Sequence, residues 1–513
     1  MCGAGIKISV SNVNTKKKKK LEKLGYIFVK KFFINFKMGE IISSFISSCN
    51  NAVLSKQITA SLAQANIETR PAKSHGITCL LLLPAILVLY TCLDDVSLVY
   101  KMATCIALGL LLYSLLFILQ LSVSDAVLKK TSHSGVIVSS LLPRHTILFV
   151  LEKYFRFCVC VSLLSTLMFS LLLKVSLVKF QKTFTIGEAI VVNQAISLFS
   201  VASIIKCAFN LTKDDGEVEF VNTVIYIVLT TVCVMMMLLY FLSEKQRNVV
   251  SFVCIVVFSA TFALTLLHWF LGPYCLINLL KYILIENDRW KTLLFWLTIV
   301  ACTVIALVVR TKMGAKADTV TRKTFHILAS LIFVSGILCD YNLMLLAAGV
   351  GLGAIALRKA RIEPFSSVLQ SAFIVYSDEK DCGCFAMTPI YLYCGLGAPL
   401  ALLQPYRPLE ALAGVLSAGV GDTAASWAGS RYGRHRWPDS KKTLEGTAAN
   451  ILSQVAVVYI LQVLGMLTTQ CALARTLVAA TVSALVEART DQVDNLILPL
   501  VTLIALQCTR FIC

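Results

Sequence analysis

From residue 77 to the end of the chain, uncharged apolar runs alternate with short polar links. A helix needs about 20 mostly apolar residues to cross a bilayer core, and about 17 suffice. By that measure the first half offers runs near 77–93, 102–123, 156–178, 186–209, 221–243 and 249–271, with a shorter piece at 275–285. The second half offers 293–309, 324–339, 342–357, 385–403, 409–429, 446–467, 472–487 and 494–509, several of them short and rich in Gly and Ala. The pattern predicts an all-α fold, a polytopic helical membrane bundle of roughly 12–15 transmembrane helices.

Of 513 residues, 57% are hydrophobic and 15% charged, against about 45–50% and about 25% in soluble domains. A soluble globule, a disordered polymer and a secreted disulfide scaffold are excluded. Most of the 19 Cys sit inside apolar runs (Cys105, Cys158, Cys160, Cys207, Cys233, Cys254, Cys302) and read as packing or lipid-facing residues. The six His are scattered, without HExxH or paired CxxC, so no structural zinc is expected.

The net charge of +19 is uneven, because residues 1–37 hold ten Lys against the single acid Glu22. Lys16 to Lys20 read as a solvated arm or a contact with anionic lipid, worth about 1 kcal/mol per Lys near a membrane surface. No compact signal peptide is visible, and Met38-Gly39-Glu40 offers a second start, so residues 1–37 are expected to be a dispensable extension. Further along, links 310–323, 358–384, 430–445 and 488–493 are charged, while the links between them carry little beyond Asp340, Arg407 and Glu410. The positive-inside bias puts the charged face in the cytosol, with Glu244 to Arg247 on that side and the acidic Lys213 to Glu217 link, next to an Asn210-Leu211-Thr212 sequon, on the other.

Chemistry concentrates between Gly419 and Gly446, where Gly, Asp, Ser, Arg, Lys, Thr and Glu crowd a span end and its link. Gly allows close backbone approach, Lys and Arg neutralise phosphates, and Asp and Glu can hold a hard divalent cation. That is equipment for phosphoryl transfer, where positioning and charge neutralisation supply most of the rate. No GxxxxGK[ST] loop and no HRD or DFG motif occurs, so any nucleotide is bound unconventionally. Gly351-Leu352-Gly353 lies inside an apolar span and reads as helix packing through small residues.

Four segments carry a resemblance. They are Arg322-Lys323-Thr324-Phe325-His326; Glu363-Pro364 to Cys382-Gly383; Gly421-Asp422 through Trp437-Pro438 to Lys441-Lys442-Thr443-Leu444-Glu445-Gly446-Thr447; and Glu487 with Gln492-Val493-Asp494-Asn495-Leu496. Over about the last 200 residues the chain resembles the dolichol kinases, within the wider group of polyprenol, phytol and CTP-dependent diacylglycerol kinases. The resemblance implies transfer of the terminal phosphate of CTP to dolichol in the endoplasmic reticulum membrane, giving dolichyl phosphate for glycan assembly. It also implies that Ser430 to Glu445 is the CTP-binding loop. Ala356-Leu357-Arg358-Lys359 lacks an acid that relatives often carry there.

The expected catalytic residues are Asp422, Lys441, Lys442, Glu487 and Asp494. Asp422 is either a ligand of the divalent cation, Mg²⁺ or Ca²⁺, or the base facing the lipid hydroxyl, and Asp494 is a second ligand. Lys441 and Lys442 are expected on the triphosphate, with Ser430, Arg431, Gly433, Arg434, Arg436, Pro438, Thr443 and Glu445 completing the nucleotide loop. Trp437 either stacks on cytosine or sits in the interfacial aromatic belt. Arg322 and Lys323 set orientation and contact phosphate, and His326 bonds a phosphate or a neighbouring helix. Asp494-Asn495 equally fits a helix N-cap. Expected partners are CTP, dolichol or a related polyisoprenoid alcohol, and the bilayer, with no nucleic acid. Three regions are expected: a basic segment 1–75, a transmembrane region 76–310 acting as lipid-binding scaffold, and a catalytic region 311–513. Another lipid acceptor, cytidylyl transfer to phosphatidate and, more remotely, transport are the competing readings; transport is disfavoured because the two halves look unlike.

Overall fold

The computed structural model describes residues 52–129, 133–151, 155–209, 216–242, 249–312, 319–358, 387–403, 406–438 and 440–512. The basic tail and its second start, the Asn210 sequon, residues 213–215, the Glu244 to Arg247 link, residues 313–318 of link 310–323 and the Glu363 to Gly383 stretch lie outside the described residues.

The described chain is a helical bundle. In order, the main helices are α1 (Ala52–Gln64), α2 (Leu82–Leu93), α3 (Leu98–Val123), α4 (His133–Leu151), α5 (Phe155–Lys179), α6 (Ile186–Phe209), α7 (Gly216–Phe241), α8 (Val249–Leu271), α9 (Cys275–Leu284), α10 (Arg289–Lys312), α11 (Thr319–Cys339), α12 (Tyr341–Arg358), α13 (Thr388–Leu402), α14 (Asp422–Tyr432), α15 (Leu444–Val463), α16 (Ala472–Arg489) and α17 (Asp494–Cys508). Among the described residues eight helices are long and apolar enough to cross a membrane, and six shorter apolar helices accompany them. Helix α4 is the addition that the hydropathy pattern missed, because Pro143, Arg144 and His145 interrupt its apolar run. The piece at 275–285 forms the ten-residue α9.

One apolar core joins the two halves, running from Ile58, Leu110, Phe169 and Ile190 to Phe333, Leu396, Leu416 and Leu503. Helices α8 and α9 lie outside it, α10 joins it only through Trp296 and Leu293, and the three turn Val253, Val257, Trp269, Leu297 and Ile305 outward. In water such a surface would be costly, whereas against lipid tails it is the expected covering.

Three prolines inside helices show how the core tolerates them. A proline frees the carbonyl four residues back, and in each case a glycine on a neighbouring segment comes up against that oxygen. A Cβ on Gly109 would stand 3.1 Å from the Ser139 carbonyl freed by Pro143. A Cβ on Gly395 would stand 2.0 Å from the Asn495 carbonyl freed by Pro499, and one on Gly414 would stand 2.2 Å from the Gly395 carbonyl freed by Pro399. The freed oxygens thus meet backbone C–H groups rather than lipid. Gly351 follows the packing expectation, since a Cβ there would strike the Tyr393 hydroxyl.

The bundle has two polar ends. At one, Asp94 binds Arg407 (2.5 Å) and Arg510 (2.6 Å), Glu410 binds Arg475 (2.6 Å), and Arg289 binds both Glu217 and Asp340 (2.6 Å each). Cys471, in the link between α15 and α16 at this end, is disulfide-bonded. The other end gathers the starts of α11, α15 and α17 and the ends of α14 and α16.

Candidate functional site

The segment before α14 is a π-helix, Val415–Gly421, buried almost throughout. Its wider turn is a form concentrated at functional positions. The Gly-Val-Gly pattern has a packing cause here. A Cβ on Gly419 would fall 1.9 Å from Ser330 Oγ of α11, and one on Gly421 would fall 2.5 Å from Asn450 Oδ1 of α15. Without those two glycines, α11 and α15 could not close on either side of Asp422.

Asp422, buried at the start of α14, is held by the half-buried Lys323 of α11. His326 sits one turn further along α11, also buried, and its charged form would favour ionised Asp422. On the other side, Lys442 Nζ donates to Glu487 Oε1 at 2.8 Å and to Asp494 Oδ2 at 3.3 Å. Glu487 is buried and also accepts from the Asn450 amide, while Gln454 Nε2 donates to Asn450 Oδ1 at 2.5 Å. Burial by itself would lower the Lys442 ammonium, but Asp494, Glu487 and Asp422 outweigh it and hold the group above the ordinary lysine value.

Asp494 does not cap its helix. Val493 holds the N-cap position without a side-chain bond, and Asp494 opens the first turn. There the unpaired N–H groups favour its negative charge.

The link between α14 and α15 is a tight hairpin-like turn. Arg436 and Thr443 form an isolated bridge, Trp437 N donates to Lys442 O (3.0 Å), and Leu444 N donates to His435 O (2.8 Å). This turn aims Lys442 inward and leaves Lys441 exposed. Thr443 is the N-cap of α15, accepting from Gly446 N at 3.1 Å. Glu445 braces the turn by accepting from His435 Nδ1 at 2.7 Å. Trp437 donates its indole N–H to Thr447 Oγ1 at 2.9 Å, with the Arg489 guanidinium over its ring at 6.0 Å. Gly433 is needed for close approach, because a Cβ there would lie 2.3 Å from the Gly429 carbonyl. Ser430 and Arg431 at the end of α14, and Arg434, Arg436 and Pro438 in the turn, are exposed. The side chain of Arg322 is outside the described residues.

The structure therefore brings Lys323, His326, Asp422, Lys442, Glu487 and Asp494 together, and leaves Lys441 and the arginines on the rim. Asn450 and Gln454 escaped sequence reading, although two amides spaced i,i+4 inside an apolar run are the kind of intramembrane polar group that marks a site. Among the described residues no three acids, His or Cys stand ready as a metal cage. Asp422 and Asp494 nonetheless offer hard oxygen donors, and Mg²⁺ commonly uses one or two carboxylates together with substrate phosphates.

The family model described as dolichol kinase matches residues 101–391, more than half of the chain. The chain belongs to the dolichol kinase family. The match takes in Lys323 and His326 of the cluster and ends before Asp422. Among family members, the dolichol kinase of Mus musculus is 32% identical over 351 residues, covering 63% of this chain and 65% of that one. The dolichol kinase of Homo sapiens is 31% identical over the same coverage, and that of Saccharomyces cerevisiae is 29% identical over 249 residues, 46% of each chain. The chain thus spans just under two thirds of the mammalian relatives it matches. No solved structure matches.

Proposed function

We propose that the chain is a lipid kinase that moves the terminal phosphoryl group of CTP onto the hydroxyl of dolichol, at the cytosolic face of the endoplasmic reticulum membrane. The observation that carries this reading is the paired cluster, Lys323 with Asp422 and Lys442 with Glu487 and Asp494, at one end of an apolar bundle in a chain of this family. Such a site offers cations to a polyphosphate and carboxylates to a cation within reach of a lipid head.

In the proposed reaction the dolichol oxygen bonds to the terminal phosphorus as the bond from that phosphorus to the bridging oxygen of CDP breaks. Lys442 and Lys323 face the phosphate oxygens and disperse their charge. The hydroxyl proton passes late to Asp422, the acid buried at the start of α14, and CDP departs. A divalent cation held by Asp494 would neutralise further charge on the terminal phosphates. The exposed arginines at 431, 434 and 436 draw nucleotide to the rim. The polyisoprenoid tail stays among the outward apolar faces of the bundle.

Two independent features support the orientation. The charged links favour the cytosol, and the disulfide at Cys471 belongs to the opposite end, as an oxidising lumen would require.

The test uses microsomes containing the full chain, terminally labelled CTP or ATP, and dolichol. Label in dolichyl phosphate from CTP, lost in Asp422→Asn at equal abundance, is the expected result. Labelled diacylglycerol or phytol instead would reassign the acceptor. A cytidylylated lipid with released pyrophosphate would replace the kinase by a cytidylyltransferase.

A further inference from the structure

Three segments far apart in the chain meet immediately before Asp494: residues 68–76, the turn 183–188 that starts α6, and the link 490–493. At their centre is a buried ion pair in the front half, where sequence patterns pointed only to scaffold. Arg70 donates to Glu188 through Nη2 (2.6 Å to Oε1) and Nε (3.1 Å to Oε2), and both side chains are almost completely buried.

The remaining bonds of this pair go to main chain. Arg70 Nη2 donates to the Asp491 carbonyl at 2.9 Å, and Glu188 Oε1 accepts from Val493 N at 2.8 Å. Glu188 Oε2 also accepts from Thr185 N at 2.9 Å. Between the two anchored residues, Gln492 is itself gripped: Thr185 Oγ1 donates to its Oε1 at 2.5 Å, and its Nε2 donates to Ser74 O at 3.1 Å. Gly76 has φ +68°, and a Cβ there would stand 2.4 Å from Gln492 Oε1; a Cβ on Gly187 would stand 1.9 Å from the Gly76 carbonyl. The junction admits no side chain at either glycine.

A buried ion pair is weak evidence for stability, because desolvation offsets much of the attraction and a well-packed apolar pair often does as well. What an apolar pair cannot do is fix a neighbouring main chain by directed bonds. Here each ion gives one directed bond to the link, Arg70 to residue 491 and Glu188 to residue 493, and the next residue is Asp494, which reaches Lys442.

We propose that the Arg70–Glu188 pair is a positioning device that fixes the main chain of residues 491–493, and through it the placement of Asp494 against Lys442. The front half of the chain is thereby a structural part of the site and not only a scaffold for lipid. The proposal rests on the kinase reading for its kinetic consequence, and on geometry alone for its structural one.

Glu188→Ala, Glu188→Gln and Arg70→Lys in the full chain separate these. Gln keeps an oxygen for Val493 N, so transfer stays within about tenfold of wild type. Ala removes it, and kcat falls by about 10²-fold, as a displaced catalytic group requires, with KM for CTP within about twofold. Arg70→Lys, which loses the second donor, falls between them. The second readout is hydrogen exchange of the purified proteins in detergent, where Glu188→Ala and Arg70→Lys raise exchange over 490–496 while the other helices keep their protection. Unchanged kcat and unchanged exchange in Glu188→Ala would overturn the proposal, as would equal loss in Ala and Gln with exchange raised throughout. Should Glu188→Ala not fold, Arg70→Lys carries the same two tests. A wild type that transfers nothing removes the kinase reading alone, and exchange over 490–496 then decides whether the pair holds this segment.

Discussion

Lys442 lies between two carboxylates, 2.8 Å from Glu487 and 3.3 Å from Asp494, while its neighbour Lys441 points to solvent. Two adjacent lysines that look equivalent in sequence are thus given different surroundings by the turn that bridges Arg436 to Thr443. Lys442→Ala is expected to lower phosphate transfer by roughly 10²–10³-fold, the usual cost of removing a charge-stabilising donor. Lys441→Ala is expected to change it by less than about fivefold, since an exposed charge acts mainly on encounter. Initial rates of label transfer at matched abundance check this, and equal losses would contradict the assignment.

Lys323 and Asp422 form the second pair. Asp422→Asn is expected to abolish transfer while leaving membrane insertion and abundance intact. Lys323→Met leaves a buried carboxylate without its partner, so it should also reduce thermal stability in detergent, whereas Asp422→Asn should do so less. A transfer-competent Asp422→Asn protein would remove Asp422 from the reaction.

Asn450 donates to Glu487 and accepts from Gln454, so its loss strands both. Asn450→Ala is expected to cost about 1–3 kcal/mol of stability, the usual penalty for leaving buried polar groups unsatisfied. Gln454→Ala strands only Asn450 Oδ1 and should cost less. Thermal unfolding of the purified variants ranks the two, and the reverse order would contradict the network.

The pH dependence of Lys442 follows from its carboxylate neighbours. Its ammonium is held above the ordinary lysine value of 10.5, so its contribution to stability is complete below that value and is lost only as pH rises through the raised one. The stability difference between wild type and Lys442→Met should therefore not shrink between about pH 6 and pH 9. A difference that shrinks across that window would mean that Lys442 is not held by these acids.

Gly395 tests the packing around Pro499. Gly395→Ala brings a methyl group against the Asn495 carbonyl, and overpacking of this kind costs about 1–3 kcal/mol. Gly465→Ala is no fair control because its φ is +70°, but Gly216→Ala meets nothing and should be nearly neutral. Melting temperatures of the two alanine variants make the comparison.

The sequence by itself determined that the chain is helical and apolar enough to live in a membrane, because hydropathy is additive along a run and needs no knowledge of neighbours. It also determined that acids, bases and glycines gather between residues 419 and 447, which made Asp422 and Lys442 legible, whereas Glu487 and Asp494 stood out as acids flanking a short link between spans and through the resemblance. Helix α4 was not legible, since its apolar run is broken by Pro143, Arg144 and His145 and is completed only by packing between α3 and α5. Nor was the difference between Lys441 and Lys442, which depends on which side of a turn each faces. Arg70, Glu188, Asn450 and Gln454 were visible only as isolated polar residues. Tertiary structure decided their roles, because a buried polar group is defined by the partner that satisfies it, and those partners lie up to 421 residues away in the chain.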